Sequence, residues 1–529
     1  MNSVFSFVPI LFLIWLMVKN KSLPSNQALP LSAALLYFIT LIVFEYEPNL
    51  VHANVVSGFL VAWTPILIIA GAIFLFKTME ETGGINMIKK WLNEVTENKV
   101  AQLMIVGWAF PFLLEGASGF GTPAAIAAPV LVGLGYKAVR VAVLVLIMNT
   151  VPVSFGAVGT PTWFGFSAID LSESETLTIA FNSAAIHSIA SFFIVIIALL
   201  QIVPFKKILD ELIFIILSIA LTVIPYLIVA NYNYEFPALV GGVTGLLGTV
   251  LLAKKKIGLK NSPTNDIAKG TGSHVNTKQL IKASFPLWGT LLLLILTRVP
   301  QLGIKSLLIS ENNSFSLSLG TLGDFSISSS LVLSLENIFQ TETSWSHKLL
   351  YVPSLLPFAL VSLLTFWVFR SSRNDISRVF NKTVIQMKNP VLALFGALVF
   401  VNLMMMGGDR SAVNTIGNVL ASISGDRWSF FASFLGALGS FFSGSATISN
   451  LTFAGIQNSI AMDTGIDRTV ILALQSVGAS YGNMVCINNI VAVTSVLTLS
   501  NQDGVILKQA GLPAMLYGVI AAIAAWILF

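Results

Sequence analysis

Long apolar runs separated by brief polar breaks fill this chain from end to end. Runs long enough to cross a bilayer, which takes about 20 apolar residues of helix, cover approximately 3–18, 28–44, 55–76, 138–160, 177–203, 209–230, 236–253, 283–299, 352–369, 390–406, 467–499 and 511–529. Two further pairs of shorter runs, 100–114 with 123–135 and 428–442 with 450–462, are each split by small polar residues. Such arms are short for a full crossing and predict re-entrant hairpins that enter and leave on one side. The pattern predicts an all-α polytopic membrane protein with about 12 transmembrane helices and two hairpins.

Charge supports that reading and orients it. Charged residues make up 10% of the 529 residues and hydrophobic ones 55%, whereas a soluble domain carries about 25% charged. If every single run crosses once and each hairpin returns, one face collects Lys19 and Lys21, Lys77 with Lys89 and Lys90, Lys137 and Arg140, Lys206 and Lys207, Lys254 to Lys256, and Arg370 with Arg373 and Arg378. The positive-inside rule makes that face the cytoplasm of a bacterial inner membrane. The other face receives Glu45 and Glu47, Asp170 with Glu173 and Glu175, and the polar, weakly charged region 305–345. Both termini then lie outside, and because Lys19 and Lys21 follow the first run, it reads as a retained helix and not a signal peptide. The net charge of +5 thus belongs to loops facing lipid headgroups and excludes nucleic acid as the partner. One basic linker, 254–282, separates an N-terminal half, 1–253, from a C-terminal half, 283–529; Ala253 to Lys282 holds seven Lys among Asn, Ser, Pro and Gly.

The halves resemble each other. Phe112-Leu113-Leu114-Glu115-Gly116-Ala117-Ser118-Gly119 ends a short apolar run, as does Ser440-Phe441-Phe442-Ser443-Gly444-Ser445-Ala446-Thr447, and Asn149 to Gly156 faces Gln475 to Gly482 at nearly the same offset. On the charge count the first hairpin opens from the cytoplasm and the second from outside, so the two repeats are inverted, an arrangement typical of secondary transporters.

Interrupted helices at membrane depth are tolerated only around protein-lined or wet cavities, and four interruptions occur, two per repeat. The stretch Glu115 to Thr122 offers Ser118, Gly119 and Thr122; Asn149 to Thr160 offers Asn149, Thr150 and Ser154. In the second half Ser443 to Asn450 offers Ser443, Ser445, Thr447 and Asn450, and Gln475 to Asn489 offers Ser476 and Ser480. Thr122-Pro123 and Thr160-Pro161 each place a capping hydroxyl before a proline suited to the first helical position. Free N–H groups at a helix start hold a carboxylate without a buried cation, so these are candidate contacts for a small anionic substrate. Glu115 is the one acid in the four stretches, and an ionisable group at that depth is a functional candidate, here for proton coupling. His187, within a span among Ser183, Ser188 and Ser191, reads as a satisfied bundle histidine before a proton relay. His52, His274 and His347 lie in or beside loops and show no ligand spacing. With Cys486 the single cysteine, neither a disulfide nor a cysteine metal cluster is available; no metal and no cofactor are called for.

Leu114-Glu115-Gly116-Ala117-Ser118-Gly119-Phe120-Gly121-Thr122-Pro123-Ala124-Ala125-Ile126, followed by Asn149-Thr150-Val151-Pro152-Val153-Ser154-Phe155-Gly156-Ala157, strongly resembles the L-lactate permease family of bacterial carboxylate:proton symporters. Gly444 to Asn450 looks like that family's second hairpin motif, although Ala446 stands where an Asp is common, so no acid is available there. The resemblance runs from about residue 50 to the C-terminus. It implies a transporter of L-lactate, with D-lactate and glycolate as related substrates, in which a hairpin domain moves against a fixed scaffold; the sequence leaves room for a homodimer.

Two other classes compete. An intramembrane serine protease would use Ser118, in Gly116-Ala117-Ser118-Gly119, with His187 as base; Gly478-Ala479-Ser480-Tyr481-Gly482 also fits a nucleophile elbow but lacks the strand that one needs. The repetition argues against both, since a protease needs one site. A channel or a subunit of an ATP-driven pump is the third reading, and the chain has no phosphate-binding loop of its own. The topology itself is testable: single cysteines at Ser172 and Lys255, in a background without Cys486, are expected to react with impermeant reagents from opposite sides of the membrane. Labelling of both from one side contradicts it.

Overall fold

The computed structural model describes the chain except Met1, 19–22, 120–121, 261–275, 299–301, 313–314, 353 and 500–501, and leaves a few more side chains undescribed, those of Ser118 and Thr122 among them. Among the described residues eight helices are long and apolar enough to cross a membrane, or nine if the bent pair Ala138–Met148 and Val151–Trp163 counts as one span; shorter apolar helices cover Val4–Leu16, Phe285–Leu294 and Leu355–Phe369. The chain divides into two compact units, residues 1–85 with 281–422 and residues 86–280 with 423–529. Each unit therefore draws on both halves of the sequence.

In the first unit the helix Arg373–Met405 runs 33 residues, well beyond the apolar stretch 390–406, because its first turns are amphipathic and their charges stay near water: Arg378 and Lys382 pair with Glu81. Its apolar half packs close on two neighbours through glycine. A Cβ on Gly396 would collide with the backbone at Leu29 and Pro30, and one on Gly58 would sit 2.7 Å from Cα of Val399. Small residues let membrane helices approach backbone to backbone, which gains dispersion contact where no hydrophobic drive exists. The apolar run 55–76 likewise belongs to a longer one, Pro48–Glu81.

An all-helical reading misses one element. In the stretch expected as a polar loop, four short strands, β1 (Phe315–Ser318), β2 (Asp324–Ile327), β3 (Val332–Glu336) and β4 (Trp345–Lys348), form an antiparallel meander in sequence order. Phe315 pairs with Ile327, Leu333 with both Ile327 and His347. The alternations Phe-Ser-Leu-Ser in β1 and Leu-Ser-Leu in β3 carry the period of two that strands require, and Ile338 and Leu335 bury against Ala53.

The second unit holds both hairpins. Helix Glu173–Leu199 begins on a capping box in which Ser172 and Glu175 exchange hydrogen bonds. Arg468 Nε lies 2.8 Å from the same Glu175 carboxyl and pairs with it. At 27 residues the helix is about 40 Å long, more than a hydrocarbon core of about 30 Å. The first hairpin arm, Lys99–Ala117, is fully buried and long enough to cross, unlike the short arm expected. Pro111, which cannot donate to the preceding turn, follows a π-helical stretch, Leu103–Ala109. The arm packs on helix Pro237–Lys254 through Gly116 and Gly242, where a Cβ would strike the backbone of Leu239 or Leu113.

Candidate functional site

The first hairpin turns at Gly119, whose φ of 62° and ψ of −158° suit glycine and end the helix Phe110–Ser118. The return arm begins at Thr122, with Pro123 next, as a proline-started helix should; the side chains of Ser118 and Thr122 lie outside the described residues. In the second hairpin the helix Ser429–Ser443 ends on left-handed Gly444. Ser445 then caps Ala446–Thr464 by accepting the N–H of Ile448 at 3.3 Å, so the N–H groups of Ala446 and Thr447 keep no partner within the helix. Ser443 folds back, donating to the Gly439 carbonyl at 2.8 Å and accepting from the Ser445 N–H at 3.2 Å. Its role is to shape the tip.

Opposite these tips the helix Ala138–Met148 breaks. A 3-10 turn, Val151–Phe155, an extended Gly156 and three left-handed residues, Ala157, Val158 and Gly159, follow. Positive φ at Ala157 and at β-branched Val158 costs about 1–3 kcal/mol each, and the surroundings hold it in place. Side chains satisfy the freed carbonyls one by one: Tyr226 donates to Val151 at 3.2 Å, Thr162 to Ser154 at 2.7 Å, Thr160 to Ala157, Trp163 Nε1 to Val158 at 3.1 Å and Asn450 to Pro161 at 2.8 Å. The Thr160 hydroxyl is thus spent on a carbonyl and does not cap a helix start. The second broken helix, Arg468–Gly482 then Ile487–Val496, is joined by a 3-10 turn at Asn483–Val485, where Asn489 donates to the Asn483 carbonyl at 3.0 Å.

These pieces enclose a cavity of about 30 Å³ lined by Glu115, Gly119, Asn149, Val153, Gly156, Ala157, Pro161, Gly444, Ser445, Ala446, Thr447, Asn483 and Asn489. Glu115 is the single ionisable side chain among them. It is 3% exposed, and Asn149 Nδ2 donates to its Oε2 at 2.9 Å. Its Oε1 lies against Gly156, where a Cβ would stand 2.6 Å away. No Lys, Arg or His lines the space, so any anion there is met by amide N–H groups and the start of a long helix.

The structure divides the sequence-derived candidates into three sets. Glu115, Gly119, Asn149, Ser445 and Thr447 line the cavity, and Thr150 lines a smaller one beside it. Ser154, Ser476 and Ser480 do not; all three are fully buried, and the Ser154 hydroxyl sits 2.8 Å from both other hydroxyls and 2.9 Å from His187 Nε2. His187 Nδ1 reaches the Tyr517 hydroxyl at 2.6 Å, so both ring nitrogens are engaged. Asn450 belongs to a buried amide chain: Trp428 to Gln457 Oε1 at 2.6 Å, Gln457 to Gln475 Oε1 at 2.9 Å, and Gln475 to Asn450 Oδ1 at 3.3 Å. Sequence reasoning passed over Asn483 and Asn489, although both stand in the fourth interruption, and Gly156. Tyr517 carries no signal in an apolar helix. Among the described residues no cluster of three or more His, Cys, Asp or Glu could hold a metal.

The sequence model of the L-lactate permease family matches residues 2–529. A candidate L-lactate permease of Haemophilus influenzae is 50% identical over 525 residues, covering 99% of this chain and 98% of that one, and the glycolate permease GlcA of Escherichia coli is 25% identical over 100% of this chain and 96% of its own length. Among solved structures, the YdaH transporter of Alcanivorax borkumensis is 13% identical, with a TM-score of 0.45 and 98% of each chain covered.

A side chain at Gly156 has to displace the Glu115 carboxyl from its place beside Asn149. Gly156→Ala is expected to cost about 1–3 kcal/mol, the usual penalty of overpacking, and to lower the melting temperature of the detergent-purified protein. Gly511→Ala, where a Cβ meets nothing within 4 Å, is the control and is expected to leave it unchanged or raise it. Equal melting temperatures for the two variants contradict the geometry.

Proposed function

Because the chain belongs to the L-lactate permease family, we propose that it carries L-lactate across the bacterial cytoplasmic membrane together with a proton, with D-lactate and glycolate as further substrates. The family is one of transporters and not of enzymes, and the serine-protease reading falls with that. The name of the glycolate permease relative supports the breadth of the substrate class, which is short 2-hydroxy monocarboxylates.

The cavity between the two hairpin tips carries this reading. Its lining combines donors suited to one carboxylate, the N–H groups of Ala446 and Thr447, with a single acid, Glu115. Lactate is an anion at neutral pH, and bringing one negative charge inward against the membrane potential costs about 2.3 kcal/mol per 100 mV. A proton on Glu115 cancels that charge and removes the repulsion between two carboxylates sharing a small, dry space. In this reading each hairpin with its following broken helix forms one inverted repeat. The present cavity has room for about two waters at ~10–15 Å³ each, so substrate entry requires the tips to part.

Purified protein in liposomes, acid outside, is expected to accumulate labelled lactate above equilibrium and to lose that accumulation with a protonophore. Filling only to equilibrium removes the coupling; no uptake removes the substrate. Glu115→Gln is expected to exchange labelled for unlabelled lactate while failing to accumulate it, and accumulation at the wild-type level returns Glu115 to a structural role. Ser445→Ala and Thr447→Val are expected to raise KM for lactate by about 2- to 10-fold, the worth of one hydrogen bond. Unchanged kinetics in both take these two hydroxyls out of the site.

A further inference from the structure

Asn149 carries an unspent acceptor. Its side chain is 7% exposed, and its Nδ2 is committed to Glu115. Ionised Glu115 can only accept, which orients the amide with Nδ2 towards it, and a proton carried on Oε1 leaves Oε2 accepting as before. Oδ1 then points away from Glu115, is buried, and has no hydrogen-bond partner among the described residues. The residue lines both the main cavity and the smaller one of about 10 Å³ beside it. A buried amide oxygen left unpaired costs stability unless something fills it.

A short 2-hydroxy acid offers two chemically different ends. Its carboxylate only accepts hydrogen bonds, and the helix start at Ala446 and Thr447 supplies donors. Its 2-hydroxyl can donate, and an acceptor held on the same cavity is what would read that proton. A 2-oxo acid presents an acceptor at that carbon, and an unsubstituted acid presents nothing. Resting on the transport reading above, we propose that Asn149 Oδ1 is the specificity-determining group that recognises the 2-hydroxyl of the substrate. Glu115 thereby does more than take a proton: by fixing Nδ2 it keeps Oδ1 facing the substrate.

A site built to bond a hydroxyl rejects the analogue that lacks it, because its own polar group is then left unpaired. In liposomes taking up labelled lactate, unlabelled lactate and glycolate are expected to compete about 10- to 100-fold better than propionate or pyruvate, the range for one buried acceptor left unsatisfied. Asn149→Ala removes the acceptor, and the ratio is expected to collapse to within about 3-fold. Where a variant takes up too little label, lactate and propionate are compared by how far each raises the melting temperature of the purified variant. A wild-type protein that takes up lactate yet does not discriminate against propionate overturns the proposal, as does a ratio unchanged in Asn149→Ala. Absence of lactate uptake by the wild type is a different failure, since it removes the transport reading itself.

Discussion

No backbone carbonyl can be left bare in a medium without water, and the core of the second unit follows from that one constraint. Breaking the helix after Met148 frees the carbonyls of Val151, Ser154, Ala157, Val158 and Pro161, and the fold answers each with a side chain from a different position: Tyr226, Thr162, Thr160, Trp163 and Asn450. Those donors anchor the break to helix Leu212–Ala230 on one side and to the second hairpin on the other. The cavity is the space that remains where the backbone departs from helix and its carbonyls are already satisfied.

Packing obeys a related economy of space. Helix Ser429–Ser443 lies on Arg468–Gly482 through Gly436, Gly478 and Gly482, at each of which a Cβ would strike the facing backbone. Such a seam has few side-chain ridges to fix its register. The directional amide chain from Trp428 through Gln457 and Gln475 to Asn450 supplies that register instead, since amides bond only in particular alignments.

Much of this was legible in the sequence, for physical reasons. Apolar length gave the membrane class, and the recurrence of Gly, Ser, Thr and Asn at matched places gave the four breaks, because only such residues make turns that bilayer depth tolerates. Glu115 stood out as an acid where acids are costly. Less legible was which way each small hydroxyl points. Ser154 is five residues from Asn149, and the 3-10 turn Val151–Phe155 sends it towards His187 and away from the cavity; no single-residue signal encodes that rotation. The strands are hidden from hydropathy because their stretch is too polar to cross a bilayer and reads as loop, although the Ser-Leu alternation is present. Helix Arg373–Met405 was cut short for the opposite reason: hydropathy ends where charge begins, while backbone hydrogen bonding continues.

The left-handed stretch at the break has a further consequence. Had Ala157 and Val158 been glycines, many backbone conformations would be open there and the region would bend freely. Valine's branched side chain confines its own torsions to few wells, so once the surrounding donors have forced this conformation, neighbouring ones are not within easy reach. The segment behaves as a preset elbow rather than a joint. Val158 is therefore the stiff point of the break, and Gly159, which carries no side chain, is where the backbone beside it can turn.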